Sequence, residues 1–179
     1  MKWATIPGWT TAGNGGGATW LTGSYDPELN LVYWGVGNPA ADFYGDSRTG
    51  ANLYTDCIVA LNADTGELSW HYQEIPHDVW DWDAAYEQVL IDLPVDGEMR
   101  KLMINPNKGG YTFVLDRTNG QFVNAWRLVE NINWISGIDE KGNLLDRLEP
   151  AVGIPQIICP AIGGGRSWNH AAYSPRTGL

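Results

Sequence analysis

The sequence predicts an all-β protein, and three observations support this prediction. First, it combines 10 tryptophans with 22 glycines and 10 prolines, and aromatic residues separated by frequent turn formers are typical of short strands joined by tight turns. Second, one turn-and-strand pattern recurs along the chain. Third, the copies of this pattern lie roughly 50 to 60 residues apart, a spacing that indicates propeller blades or a related repeat array.

The recurring pattern consists of an apolar residue, Asp or a substitute for it, a tight turn with Gly, and an apolar strand that ends in Trp. Copies occupy residues 60–70 and 114–126, and a third begins at Tyr173. Asp and Gly suit a hairpin turn, and the Trp can pack flat against the neighbouring sheet. A blade cannot bury its faces alone, so about three partial blades cannot close a ring. We therefore expect the chain to be an internal fragment of a larger propeller.

Strands are predicted wherever β-branched or aromatic runs are bounded by turn residues. These runs are residues 31–34, 57–61, 87–92, 101–104 and 111–115. Helix signals are weak, since the only periodic stretch, residues 83–90, is short and uncapped.

Several classes of protein are excluded by composition and motifs. The formal net charge of -10 argues against a nucleic-acid partner, because phosphates require a basic surface. No apolar run approaches the roughly 20 residues that a membrane helix needs, and the first residues do not resemble a signal peptide. Cys57 and Cys159 lack zinc-site spacing, and the sequence leaves open whether they are buried thiols or a disulfide. Catalytic Ser-His-Asp, P-loop and dinucleotide-binding motifs are absent.

The strongest local signal is the segment 76–83, in which Asp78, Asp81 and Asp83 alternate with two tryptophans. If the segment is extended, the carboxylates of Asp81 and Asp83 point the same way. Two carboxylates that face one point repel each other unless a cation or a proton lies between them. Flanking indoles would exclude water and raise the cost of leaving the charges unpaired. The pattern therefore favours a metal or catalytic site over a solvated acidic turn.

Four other residues carry weaker signals, and each has an ordinary structural alternative. Trp20 follows a Gly-rich approach and could stack on a flat ligand, or it could be a core residue. Asn38 lies in a Gly/Pro turn, where its carbonyl oxygen could bind a hard cation or simply form the turn. Lys108 follows a turn and would by default be a surface lysine. Asn169 follows Gly163-Gly-Gly165 and could line a pocket.

Taken together, these motifs resemble the PQQ-dependent methanol/ethanol dehydrogenases, the quinoprotein alcohol dehydrogenases. The resemblance covers nearly the whole chain in the family's order. The segments that carry it are Gly16-Gly-Ala-Thr-Trp20, Tyr25-Asp-Pro-Glu28, Gly37-Asn-Pro39, Asn52-Leu-Tyr-Thr55, Trp70-His-Tyr-Gln73, Pro76-His-Asp-Val-Trp-Asp81 and Val114-Leu-Asp-Arg-Thr118.

The resemblance implies that residues 1–179 are part of a single PQQ-binding, eight-bladed β-propeller domain. It also implies that Trp20 forms the floor under PQQ, that Lys108 contacts the quinone C5 carbonyl, and that Asn169 makes a further contact with the quinone. Asn38 and Asp81 match the family's metal ligands, and Asp81 also matches the base that takes the alcohol proton. The family's Glu ligand and adjacent-cysteine disulfide have no match here, so we expect the isolated chain to be inactive.

Asp83 is similar to the additional Asp of the lanthanide-dependent members. Chemistry supports this match, because a trivalent ion binds more tightly when a further anionic ligand is present. The resemblance therefore implies a lanthanide ion, with calcium as the alternative. It further implies that primary alcohols are oxidised to aldehydes, with hydride transfer to PQQ and electrons passed to a cytochrome c in the periplasm. Two alternatives stay open: a non-catalytic PQQ-like repeat propeller that acts as an assembly scaffold, and a quinohaemoprotein alcohol dehydrogenase.

Overall fold

The computed structural model describes residues 15–178, in which the regular secondary structure consists of ten strands and no helix. The Gly-rich approach to Trp20 spans residues 11–17, and we expect a loop there; part of it lies outside the described residues. The first sheet consists of β1 (Ser24–Asp26), β2 (Leu31–Gly35), β3 (Cys57–Asn62) and β4 (Leu68–Gln73). The second consists of β5 (Val89–Val95), β6 (Glu98–Pro106), β7 (Tyr111–Asp116) and β8 (Phe122–Arg127). A short hairpin follows, formed by β9 (Gly137–Ile138) and β10 (Leu144–Leu145).

Each four-stranded sheet is antiparallel, and its strands lie in sequence order. This arrangement is that of a propeller blade. The prediction of an all-β partial propeller is thus confirmed, and the predicted strands lie within or overlap β2, β3, β5, β6 and β7. The described residues form two complete blades. The third copy of the repeat, which begins at Tyr173, forms no strand up to residue 178.

The turns of the repeat have the predicted chemistry in both blades. Asn62 accepts hydrogen bonds from two main-chain amides of its turn, each at 3.0 Å, and Asp116 accepts one at 2.9 Å from the amide of Thr118. Gly66 and Gly120 complete these turns with φ values of 71° and 76°, which a residue with a Cβ rarely adopts. A bulge follows at the same place in both blades, next to Ala60/Leu61 and Val114/Leu115.

The tryptophans that end the two repeats differ in register and environment. Trp70 pairs with Ala60 and is buried, whereas Trp126 pairs with Thr112 and is 46% exposed. Relative to the turns, Trp126 therefore occupies the position of Tyr72, which pairs with Ile58 in the first blade. The repeat pattern treats these two tryptophans as equivalent, because it does not specify the number of residues between Gly and Trp.

Trp70 joins the two blades. A Cβ on Gly120 would lie 2.5 Å from Cε3 of Trp70, so the indole packs directly on the turn of the neighbouring blade. Tyr33 adds a hydrogen bond of 2.9 Å from its hydroxyl to the main-chain oxygen of Arg117. Arg117 in turn binds Asp26 of the first blade at 2.6 Å. The buried residues shared by the blades are Leu31, Tyr33, Ile58, Ala60, Trp70, Met103 and Leu115.

Both cysteines are free thiols, and Cys57 is fully buried in β3. The sequence leaves open a disulfide or two unpaired thiols, and the structure has unpaired thiols.

Candidate active site

The loops at one edge of the two sheets carry the central site residues. Asn38 follows β2, and Lys108 lies between β6 and β7. Asp81 and Asp83 lie on the connection from β4 to β5. In consecutive antiparallel strands, alternate connections emerge at the same edge, and the repeat turns emerge at the opposite one. The topology thus brings together residues that are distant in sequence.

Asp78 shapes the loop that carries the other two carboxylates. It is fully buried, and its two oxygens accept hydrogen bonds from the main-chain amides of Trp80 at 2.8 Å and Trp82 at 2.7 Å. Asp81, between them, adopts a left-handed conformation with φ of 62°. The segment is therefore a tight turn and not the extended strand considered from the sequence. Burial raises the pKa of Asp78 to about 6, although the amide hydrogen bonds oppose this shift.

The indoles of Trp80 and Trp82 anchor this loop in the core. Their ring centroids lie 4.7 Å apart, and Trp134 packs against both, at 5.6 Å and 5.0 Å. The indole nitrogen of Trp134 also donates a hydrogen bond of 2.8 Å to the main-chain oxygen of Gly109. One aromatic cluster thus fixes both the acidic loop and the turn that carries Lys108.

Lys108 is buried between two carboxylates. It is 6% exposed, and its Nζ lies 3.5 Å from Oδ2 of Asp81 and 3.7 Å from Oδ2 of Asp83. The same ammonium donates a hydrogen bond to the main-chain oxygen of Asp81. The surface position that is usual for lysine is therefore excluded, and the carboxylates of Asp81 and Asp83 both face the ammonium group of Lys108.

Asp83 connects the remaining residues of the site. Its Oδ1 accepts hydrogen bonds from the indole nitrogen of Trp20 at 3.3 Å and from the main-chain amide of Asn38 at 3.1 Å. Gly37 allows this approach, because a Cβ at that position would collide with the Asp83 carboxylate. Trp20, Asn38, Asp83, Lys108 and Asp81 thus form one connected group.

The carboxyl group of Asp81 is the more accessible of the two. Its side chain is 28% exposed, against 13% for Asp83. Burial raises the pKa of Asp81 above its ordinary value, Lys108 lowers it, and the negative charges of Asp83 and Asp42 raise it further. A carboxylate whose pKa is raised and which still reaches solvent is suited to accept a proton from a bound molecule.

The donors present fit part of the coordination shell of a hard cation. Asp81 and Asp83 offer carboxylate oxygens and Asn38 an amide oxygen, the ligand types that calcium-like ions prefer. Within residues 15–178, no group of three or more His, Cys, Asp or Glu residues is arranged to hold a metal by itself. Trp20 is 47% exposed, and its indole is linked to the ammonium of Lys108 through the carboxylate of Asp83. Such a pair fits a planar, oxygen-rich cofactor.

Among the described residues, Asn169 makes no hydrogen bond to this group. Its side chain is exposed, and its main-chain oxygen accepts a hydrogen bond of 3.0 Å from Nε of Arg166. Arg166 itself is tied to Glu87 by an ion pair of 2.5 Å. The segment nevertheless touches the site, because the amide of Gly165 donates to the main-chain oxygen of Lys108 at 2.8 Å. The role of Asn169 stays a prediction.

Sequence reasoning missed the residues that hold the loops together. Arg48 is 2% exposed, and it donates hydrogen bonds to the main-chain oxygens of Asp42 at 3.2 Å and Asp78 at 2.6 Å. Glu74 is fully buried and accepts hydrogen bonds from Asn105 and Asn107. Neither residue belongs to a motif, so the sequence contains no signal that distinguishes them from ordinary polar residues.

Comparison with known proteins identifies the family of this site. The β-propeller domain described as PQQ, glucose/ethanol/alcohol dehydrogenase, matches residues 2–131. The chain belongs to this PQQ β-propeller dehydrogenase family. Its relatives include quinohemoprotein alcohol dehydrogenase ADH-IIG from Pseudomonas putida, 40% identical over 172 residues. Quinoprotein alcohol dehydrogenase PedH from the same species is 39% identical over 185 residues.

The solved structures that this PQQ family member resembles are also dehydrogenases. A europium-containing methanol dehydrogenase is 36% identical, covers 92% of the chain and superposes with a TM-score of 0.85. The match to ADH-IIG covers 92% of this chain but 24% of that protein, and the match to PedH covers 98% and 30%. The chain thus spans about a quarter of the length of these relatives. Helices able to span a membrane are absent from residues 15–178.

Proposed function

We propose that the complete protein oxidises primary alcohols to aldehydes with PQQ and a hard metal ion. In this proposal, residues 1–179 form part of a single PQQ-binding propeller domain. The observation that carries the proposal is the single group formed by Trp20, Asn38, Asp81, Asp83 and Lys108, which come from four separate segments of the chain. A non-catalytic scaffold propeller requires the repeat but gives no reason to bury a lysine between two carboxylates, since burying charges is costly.

Each residue has a distinct role in this proposal. Bound PQQ would supply the two-electron acceptor, and the metal ion would act as a Lewis acid beside it. Trp20 supports the flat face of the cofactor, and Lys108 stabilises negative charge on a cofactor oxygen. The carboxylate of Asp81 accepts the hydroxyl proton of the alcohol. Asn169 is proposed as a further cofactor contact, which requires its segment to approach the Trp20 side of the site.

We propose a lanthanide ion as the preferred metal, with calcium as the alternative. Asp83 adds a second carboxylate to the ligand set, and hard-cation affinity increases with the charge of the ligands. Gly37 also supports this proposal, because the absence of a side chain there lets the Asp83 carboxylate reach the amide of Asn38. The similarity to a europium-containing methanol dehydrogenase is consistent with this choice.

We propose that the electrons leave to a cytochrome c in the periplasm. The relatives include quinohemoproteins from Pseudomonas putida and Comamonas testosteroni, so an acceptor haem within the same polypeptide is the second candidate. A haem absorption band in the purified full-length protein would favour that candidate. A requirement for added cytochrome c would favour a separate acceptor.

The test compares the full-length protein that contains this chain with its Asp83→Ala variant. Both are reconstituted with PQQ and either lanthanum or calcium, and alcohol-dependent reduction of a dye is measured. We expect lanthanum-dependent activity that Asp83→Ala abolishes, because the variant loses one anionic ligand. Glu98→Ala, which removes an exposed carboxylate at the opposite edge of the second blade, should keep full activity.

Three other outcomes would change these conclusions. Activity with calcium alone would keep the enzyme but refute the lanthanide assignment. Equal lanthanum activity in wild type and Asp83→Ala would show that Asp83 is not a ligand. Failure to bind PQQ and to oxidise any alcohol with either metal would favour the scaffold propeller.

A further inference from the structure

The side-chain amide of Asn38 is oriented by a neighbouring carboxylate. Its Nδ2 donates a hydrogen bond of 3.0 Å to Oδ1 of Asp42. An ionised carboxylate can only accept, so the end of the amide that faces Asp42 must be the NH2 group. The oxygen of Asn38 is consequently left for another partner. The main-chain amide of the same residue binds Asp83 at 3.1 Å, which fixes Asn38 from the other side.

The backbone of Asp42 is itself held in place from the core. Arg48 donates hydrogen bonds to the main-chain oxygens of Ala41 at 3.4 Å and Asp42 at 3.2 Å. The same guanidinium group binds the main-chain oxygen of Asp78 at 2.6 Å and the side chain of Asn52 at 2.6 Å. The backbone of Asp42, from which its carboxylate extends, is therefore held relative to the acidic loop that begins at Asp78.

We propose that Asp42 is a positioning residue that presents the amide oxygen of Asn38 to the metal ion. This inference rests on the proposed function, in which Asn38 is a metal ligand. An amide has a donor end and an acceptor end, and only the acceptor end binds a cation. Without Asp42, only a longer hydrogen bond of 3.4 Å from Nδ2 to the main-chain oxygen of Pro39 holds the amide. The amide can then rotate and present its NH2 group, so the metal loses a ligand for part of the time. Partners that orient metal ligands typically affect affinity by about 10- to 100-fold.

The test measures terbium binding to the full-length apoprotein by luminescence, which nearby indoles such as Trp20 sensitise. We expect Asp42→Ala to weaken terbium affinity by about tenfold or more. Asp42→Asn loses the same charge but keeps an oxygen that can accept the hydrogen bond, so it should retain most of the affinity. Asp42→Glu keeps the charge but displaces the carboxylate, and it should weaken binding. Asp46→Ala, an exposed acid on the same loop, is the matched control and should leave binding unchanged.

A double-mutant cycle separates orientation from charge. In an Asn38→Ala background, we expect Asp42→Ala to cause no further loss of terbium affinity, because the amide that it orients is gone. Equal losses in Asp42→Ala and Asp42→Asn that persist in this background would show an effect of charge alone and overturn the inference. An Asn38→Ala variant with unchanged affinity would instead refute the metal-ligand role of Asn38. Circular dichroism of each variant checks that the fold is retained.

Discussion

Replacing Gly120 by alanine tests the contact that joins the two blades. Gly120 has a φ of 76°, and an added Cβ would lie 2.5 Å from Cε3 and 2.8 Å from Cδ2 of Trp70. A left-handed conformation costs a non-glycine residue about 1–2 kcal/mol. Overpacking against a buried ring costs about 1–3 kcal/mol more. We therefore expect Gly120→Ala to lower the free energy of unfolding by about 2–5 kcal/mol.

Gly97 provides the matched control, because it differs in packing but not in backbone conformation. Its φ is 85°, and an added Cβ would meet nothing within 4 Å. Gly97→Ala should thus cost only the conformational part, about 1–2 kcal/mol. Urea denaturation of both variants measures the difference, and a Trp70→Ala background should remove the additional cost of Gly120→Ala. Equal losses for the two glycines in the wild-type background would refute a tight contact between the Trp70 indole and the turn.

Two further predictions concern buried charges. Burial raises the pKa of Glu74 to about 7, from 4.5 in the unfolded chain. Between these pH values the folded protein keeps a proton that the unfolded chain has lost, so the free energy of unfolding should fall as the pH rises. Glu74→Gln should flatten this pH dependence, which urea denaturation at several pH values measures. Arg117→Ala should cost about 3–5 kcal/mol, because it leaves Asp26, which is 3% exposed, without its partner. Arg100→Ala, which removes a partly exposed ion pair, should cost less than about 1 kcal/mol in the same assay.

The sequence predicts the strands and the repeat turns well because their signals are local. Runs such as 57–61 and 111–115 become β3 and β7, and the turn at Asn62 has the expected hydrogen bonds. Relative register is harder to predict, since the two tryptophans of the repeat differ in position by two residues. A pattern based on residue type alone does not count those residues.

The structure brings most of the candidate site residues together, but through a geometry that the sequence does not indicate. Asp81 and Asp83 converge on the ammonium group of Lys108. They do so through a left-handed turn held by Asp78 and not through alternation along a strand. The burial of Lys108 depends on the segment around Gly165, which is distant in sequence. The anchoring by Arg48 likewise depends on contacts between loops. Tertiary contacts of this kind leave no periodic signal.

The repeat turns and the candidate site lie at opposite edges of the sheets, and this separation determines where the chain can accept insertions without changing the site. The turns at Gly66 and Gly120 lie at one edge, whereas Asn38, Asp81 and Lys108 lie at the other. Insertions or peptide tags in the exposed β5–β6 hairpin at Asp96-Gly97 would therefore extend away from the candidate site. Changes in the loops at the opposite edge, in contrast, would alter the candidate site while the blades beneath them stay the same.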